Sequence, residues 1–200
     1  MGRPRTFVED EAVERAVLLF WRRGFEGTSV RDLGEELGLR PGSLYAAFGD
    51  KQSLFHRALD RYREGQVAGL LAAVDGDAPL LPRLRALLLG VAEANRLAHA
   101  RTAAGEAGAP AGCLVIGTAL GVPGDEAAAQ RVRSTFDRID GALEAALARA
   151  VASGELTHTD PPTTAAFLTT FLQGLQVVST ADPDHRRVGK AVDVALAILR

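Results

Sequence analysis

An all-α chain of about nine helices is what this sequence predicts, and three observations carry the expectation. Apolar residues recur at helical spacing in one segment after another, beginning with Val8, Ala12, Ala16, Leu19 and Phe20. No stretch keeps the strict alternation of a half-buried strand. The periodic segments are punctuated by glycine and proline, at Gly24, Gly38, "DGDAP" and "SGEL". With 200 residues, 47% of them hydrophobic, the chain suffices for a small domain joined to a larger one.

The spacing predicts a first helix over residues 8–23, ended by Gly24, with Phe25 anchoring the turn. Thr28 or Ser29 can cap a second helix that carries Asp32 in its first turn and Leu33 and Leu37 on its buried face. Gly38 ends it. A turn through Arg40, Pro41 and Gly42 then leads into a helix of barely two turns, Ser43 to Phe48. A helix that short cannot stand alone. Leu44 and Phe48 must therefore pack against neighbours, leaving Ser43, Tyr45, Ala46 and Ala47 on other faces. Leu54, Phe55, Ala58, Leu59, Tyr62 and Val67 describe a long helix running to about Val74, where "DGDAP" breaks it. Next come a helix over about 81–98, a Gly/Ala/Pro loop at 103–112 and a short helix in "CLVIGTAL" despite its β-branched residues. A long helix over 124–152, one opened by Asp160 and Pro161, and a last one over 184–199 complete the chain.

Charge is weakly polar along the sequence. Residues 1–63 carry 11 Lys+Arg and 10 Asp+Glu, net +1, and the remainder carries 12 and 15, net −3, which together give −2. The overall balance exerts no pull toward nucleic acid. The single cysteine, Cys113, excludes a disulfide within the chain. With no apolar leader and no uninterrupted 18-residue apolar run, the expectation is a cytoplasmic protein without a membrane span. Lysine occurs only at Lys51 and Lys190 against 21 arginines, so a lysine carries more meaning here than an arginine. Acidic residues and histidines do not cluster at metal-ligand spacing, and no phosphate-binding glycine loop follows a strand. No metal and no cofactor are expected. A cysteine-dependent enzyme using Cys113 and His99, or a ligand carrier, are the outside alternatives.

A helix, a glycine-containing turn and a second short helix are the parts of a helix-turn-helix, whose second helix lies in the DNA major groove. Ser43, Ala46 and Ala47 are small enough to let that helix approach base edges. Tyr45 and Lys51 bracket it with groups that can reach phosphates, and Lys51 lies where N–H groups at the start of the next helix could join it. Arg31 and Arg40 extend the basic surroundings, though each also reads as a plain surface charge. Arg3 and Arg5 read equally as a minor-groove arm or as an unstructured end.

At these residues "FEGTSVRDLGEELGLRPGSLYAAFGDKQSLF" resembles the DNA-binding domain of the TetR/AcrR-family transcriptional regulators. Thr28, Gly38, Gly42, Leu44, Tyr45, Phe48, Lys51 and Leu54 fill the family pattern over roughly residues 7–60. Ala47 departs from it, standing where many relatives carry His or Tyr. The resemblance implies a DNA-binding domain over residues 1–50 that contacts an operator through Thr28, Ser29, Arg31, Arg40, Pro41, Gly42, Ser43, Tyr45, Ala46 and Lys51. It also implies an effector-binding and dimerisation domain over residues 51–200, connected by the helix at 51–74, and a homodimer built by the last two helices. The function so implied is a repressor that binds a pseudo-palindromic duplex and is released by a small, mainly apolar effector.

In the C-terminal part, Leu88, Phe136, Phe167 and Phe171 could line a pocket, with Asn95, His99, Asp140 and Thr170 offering polar contacts. For the apolar side chains, filling a core is the plainer reading, and none of the polar ones singles itself out. "P-A-G-C-L" resembles a segment found in one branch of the family, where some members sense electrophiles or oxidants through the cysteine. Cys113 at a helix N-terminus would have its thiolate favoured, while a lone cysteine commonly serves as a small buried apolar group. For the dimer, Phe171, Leu175 and Val178, and then Val188, Val192 and Leu199, fall at helical spacing on the last two helices.

Overall fold

Ten α-helical segments follow one another in the computed structural model, which describes residues 9–106, 110–122, 124–182, 184 and 186–199. They are α1 (Glu9–Arg23), α2 (Val30–Leu37), α3 (Pro41–Phe48), α4 (Lys51–Tyr62), α5 (Ala68–Val74), α6 (Leu80–Ala103), α7 (Leu114–Gly121), α8 (Glu126–Ala152), α9 (Pro161–Val178) and α10 (Arg186–Ile198). A π-helical turn, Arg63–Val67, joins α4 to α5 without a break, so nine separate helices remain among the described residues. Val8, Arg3 and Arg5, read above as a helix start and a basic arm, lie outside the described residues. The chain forms two compact units, the first holding the described residues up to Gly65 together with Leu114–Val132, the second holding Gln66–Cys113 and the residues from Arg133 onward. The first crossing between the two units falls within the π turn.

The first unit is built on aromatic packing. Phe20 and Phe55 are sealed from solvent and meet edge to face at 5.0 Å, and Phe25 lies 4.9 Å from Phe55. This is how α1 is held on α4, with Leu54, Ala58 and Leu59 filling the same core. α7 packs on both helices. Four side chains tie α4 to the segment that begins α8. His56 Nε2 lies 2.7 Å from Asp125 Oδ2, and the Arg131 guanidinium straddles the Asp60 carboxylate at 2.9–3.1 Å. Burial works to raise the Asp125 carboxyl, but the Ala128 amide and His56 outweigh it and hold that group below its ordinary value.

Ser29 is the cap of α2, in a reciprocal box with Asp32: the Ser29 Oγ accepts from the Asp32 amide at 3.1 Å, and the Asp32 carboxylate accepts from the Ser29 amide at 2.8 Å. These Ser29 hydrogen bonds, with Arg23 at 2.8 Å adding its charge, hold the Asp32 carboxyl down at about 2.

In the second unit, α6 packs against α5, α9 and α10. Polar side chains close its ends. The Glu155 carboxylate accepts from the Leu80 and Leu81 amides at 2.8 and 2.9 Å, satisfying two of the donors that open α6. Arg83 donates to the carbonyls of Val74, Gly76 and Ala78, which draws the "DGDAP" break into a fixed loop. Asn95 is 5% exposed and fully engaged: its amide nitrogen donates to Ser179 Oγ at 2.6 Å and its oxygen accepts from the Gly112 amide at 2.9 Å. It thereby pins the loop before α7 and the end of α9 to the middle of α6.

Four of the six residues expected at the dimer contact need correction. Leu175, Val188, Val192 and Leu199 are all buried within their own chain, at most 5% exposed, because α9 and α10 turn that stripe toward α6. Phe171 and Val178 are half-buried. On these two helices the large apolar side chains left in solvent are Phe167 and Val177 on α9 and Val194 and Ile198 on α10.

Two outcomes follow. Asn95→Ala strands the Gly112 amide and removes the donor to Ser179 Oγ, which keeps its own bond to the Gln176 carbonyl, and is expected to cost ~1–3 kcal/mol in chemical denaturation. Because the Asp32 carboxyl sits lower in the folded chain than its ordinary 3.8, its stabilising effect is complete above that pH and is lost as the pH falls toward about 2. An NMR titration of its carboxyl carbon should show that low midpoint, and Ser29→Ala should move it upward.

Candidate nucleic-acid interface

α3 begins with Pro41 at its first position, where the missing N–H costs nothing, and follows a turn set by Gly38. Gly38 has φ +67°, a left-handed conformation that glycine adopts without strain, and the turn closes through the Leu39 amide to the Gly34 carbonyl at 2.9 Å. Leu44 and Phe48, one turn apart, are buried at 0% and 4% exposure. Arg57 from α4 stacks over the Phe48 ring at 5.0 Å. With those two side chains turned inward, Pro41, Gly42, Ser43, Tyr45 and Ala46 are exposed, and Ala47 is half-buried. Tyr45 is 49% exposed, so the reading in which it packs beneath the first helix is set aside.

The outward face of α3 carries no ionic group, and charge is supplied from its flanks. Arg40, at the cap position, is exposed and makes no side-chain capping bond. Arg31 is exposed and paired with Glu35 at 2.9 Å across one turn of α2; that hydrogen bond and charge push its guanidinium still higher. An exposed pair of this kind exchanges partners at little cost.

Three residues expected at the interface are engaged elsewhere. Thr28 is corrected outright: it is completely buried, and its hydroxyl donates to the Gly24 carbonyl at 2.7 Å, locking the turn between α1 and α2. Ser29 is exposed, but its hydroxyl serves the capping box. Lys51 is half-buried and its ammonium donates to the carbonyls of Phe25 and Thr28, each at 3.1 Å. The N–H groups expected to help it are also in use, since the Asp50 carboxylate caps α4 by accepting from the Ser53 amide at 2.6 Å. Phe25, whose ring lies 4.0 Å beneath the Lys51 ammonium, is the residue that sequence reasoning missed here. The pair is separated by 26 positions, and no local pattern announces it.

In the second unit, the side chains read as pocket-forming differ in their exposure. Leu88 is core at 2% exposure and Asn95 is engaged as described. His99, Phe167 and Thr170 are exposed, whereas Cys113, Phe136, Asp140 and Phe171 are half-buried. Phe167 and Phe171 stack on each other at 5.9 Å. A cleft of about 230 Å³ between Gly76–Arg83 and Ala146–Glu155 holds none of these residues. No helix among the described residues is long and apolar enough to cross a membrane, and none of their acidic, histidine or cysteine side chains form a group suited to a metal ion.

Known proteins share this arrangement. Residues 12–58 match the family described as bacterial regulatory proteins, tetR family, and residues 80–195 match the tetracyclin repressor-like C-terminal domain. The chain is 31% identical over 183 residues to the HTH-type transcriptional repressor ComR of Escherichia coli, covering 88% of this chain and 81% of that one. It is 28% identical, over the full length of both, to the HTH-type regulator YezE of Bacillus subtilis. Among solved structures it is similar to a cysteine-substituted form of the TetR family regulator CifR complexed with 26-base-pair operator DNA, with 33% identity, a TM-score of 0.77 and complete coverage of both chains. A reading helix set on buried Leu44 and Phe48, followed by a helical domain matching the same family, leads to one conclusion: this chain belongs to the TetR family of bacterial transcriptional regulators.

Proposed function

We propose that the protein is a dimeric, cytoplasmic repressor that places α3 of each subunit in successive major grooves of a pseudo-palindromic operator and lets go when a small effector binds the second unit. The observation that carries the DNA reading is the division of α3: Leu44 and Phe48 face inward, while Gly42, Ser43, Tyr45 and Ala46 present a small, uncharged face. Such a face can approach base edges closely without the cost of desolvating charge. Tyr45 offers its hydroxyl to a phosphate, Arg31 has an exposed side chain that can follow, and Arg40 at the head of α3 is placed to reach a phosphate or the O6/N7 edge of guanine. The complex of a relative with 26-base-pair operator DNA supports the same reading.

A second copy is supported by the exposed stripe of Phe167, Val177, Val194 and Ile198, since a two-fold interface needs only one self-complementary patch per chain. The domain division at residues 1–50 and 51–200 is retained as a functional division between DNA reading and effector response. For the effector, one Asp140 carboxylate oxygen and the buried Thr169 hydroxyl have no hydrogen-bond partner among the described residues, and polar groups so placed can orient an otherwise apolar ligand. Cys113 gains no comparable support as an electrophile sensor. Membership of a family of regulators displaces the enzyme and carrier alternatives.

Selection from random DNA should return an inverted repeat with half-sites about 10 base pairs, or a multiple of that, apart; a collection without two-fold symmetry would sink the reading. Tyr45→Phe should weaken binding severalfold on all duplexes alike, because a phosphate contact carries no sequence information. Val194→Arg should yield folded monomers in sedimentation, whereas an unchanged dimer would move the interface off this stripe.

A further inference from the structure

We propose that Ala46 is a specificity-determining residue of the DNA interface, selecting a thymine by its C5-methyl group, with Gly42 setting how closely the helix approaches; this rests on the repressor reading above. Leu44 and Phe48 are the buried side chains of α3, at 0% and 4% exposure, and Ala46 stands two residues from each. At about 100° per residue, that places Ala46 diametrically opposite the buried pair. Gly42, one turn earlier, shares its face. Both are exposed, so they form the crest of the outward side, with Ser43 and Tyr45 on its two flanks.

Nothing inside the chain calls for a glycine at 42. Its φ lies outside the left-handed region, and a Cβ added there would meet no atom within 4 Å. Glycine weakens a helix relative to alanine, and an eight-residue helix has little stability to give up. A backbone without a side chain is useful where another molecule comes close. The crest at Ala46 then carries one methyl group and no side-chain donor or acceptor. Set against a base edge that hydrogen-bonds, that methyl group would displace water and return no bond. Set against the C5-methyl of thymine, the one apolar group that a base pair shows in the major groove, it buries apolar surface on both sides. Ser43, which can both donate and accept, meets either kind of edge and does not make this choice.

Deoxyuridine isolates that group, because it keeps every hydrogen-bonding atom of thymine and lacks only the methyl. The inverted repeat selected by the wild-type full chain is titrated with each thymine of a half-site replaced in turn by deoxyuridine, together with its symmetry mate. At one position the wild-type protein is expected to lose about fourfold in affinity for each half-site. Ala46→Gly should bind the unsubstituted operator more weakly by the same factor and be indifferent to deoxyuridine at that position; this coupling of the two changes identifies the contact. Gly42→Ala should melt no lower than wild type in circular dichroism. It should nonetheless lose at least about tenfold in operator affinity, and the deoxyuridine effect with it, because the added methyl group holds the crest off the bases.

A wild-type affinity that changes by less than about twofold at every thymine, or a selected half-site without thymine, would overturn the proposal while leaving the repressor reading intact. An Ala46→Gly protein that loses as much as wild type at the sensitive position would assign the methyl contact to another residue and overturn it equally. If Ala46→Gly does not fold, Gly42→Ala decides: operator affinity at the wild-type value, or a deoxyuridine effect retained in full, counts against the proposal. A Gly42→Ala protein that melts well below wild type would show that the chain itself needs the glycine, which also counts against it. A wild-type protein that prefers no duplex would fail the repressor reading itself and this role with it.

Discussion

The burial of Leu44 and Phe48 is the constraint on which the rest of the structure depends. An eight-residue helix has too few internal hydrogen bonds to offset the entropy of its nucleation, so α3 exists only because its neighbours cover those two side chains. That requirement explains the mass of aromatic packing behind it. Phe20, Phe25 and Phe55 lock α1, the following turn and α4 into one frame, and α3 is fastened to that frame through α4 and through Arg57 over Phe48. Rigidity is needed because base recognition is directional, and a reading helix free to rock would meet phosphates without meeting bases.

Much of the polar chemistry in the chain serves the same end of fixing backbone. Lys51 draws two carbonyls together, Arg83 draws three, Glu155 closes the start of α6 from 74 and 75 residues away, and Asn95 joins two loops to a helix. Each long side chain satisfies backbone groups that have no helical partner of their own. In a protein with many short helices such groups are numerous. The consequence is that a polar residue in an apolar segment is a poor indicator of a ligand site here, as Asn95 demonstrates.

The last two helices illustrate a different ambiguity. α9 and α10 each carry apolar residues around most of their circumference, so one stripe meets α6 and another remains in water. Periodicity locates both stripes equally well. It contains no information on which of them is covered by the chain itself, and four of the six residues chosen from sequence for the dimer are ones the chain buries on its own.

What the sequence determined by itself is local. Gly24, Gly38 and Pro41 mark ends and starts because backbone conformation there depends on the residue in place, and the spacing of Leu44 and Phe48 decides which residues of α3 face outward because a helix repeats every 3.6 residues. The Ser29–Asp32 box is likewise readable, since its members lie three residues apart. Tertiary structure alone decided where Thr28 hides, what Lys51 grips, what Asn95 joins and which face of α9 stays exposed. Lys51 and Asn95 find partners up to 26 and 84 positions away, and such partners are chosen by the packing of whole helices, which no short window of sequence contains.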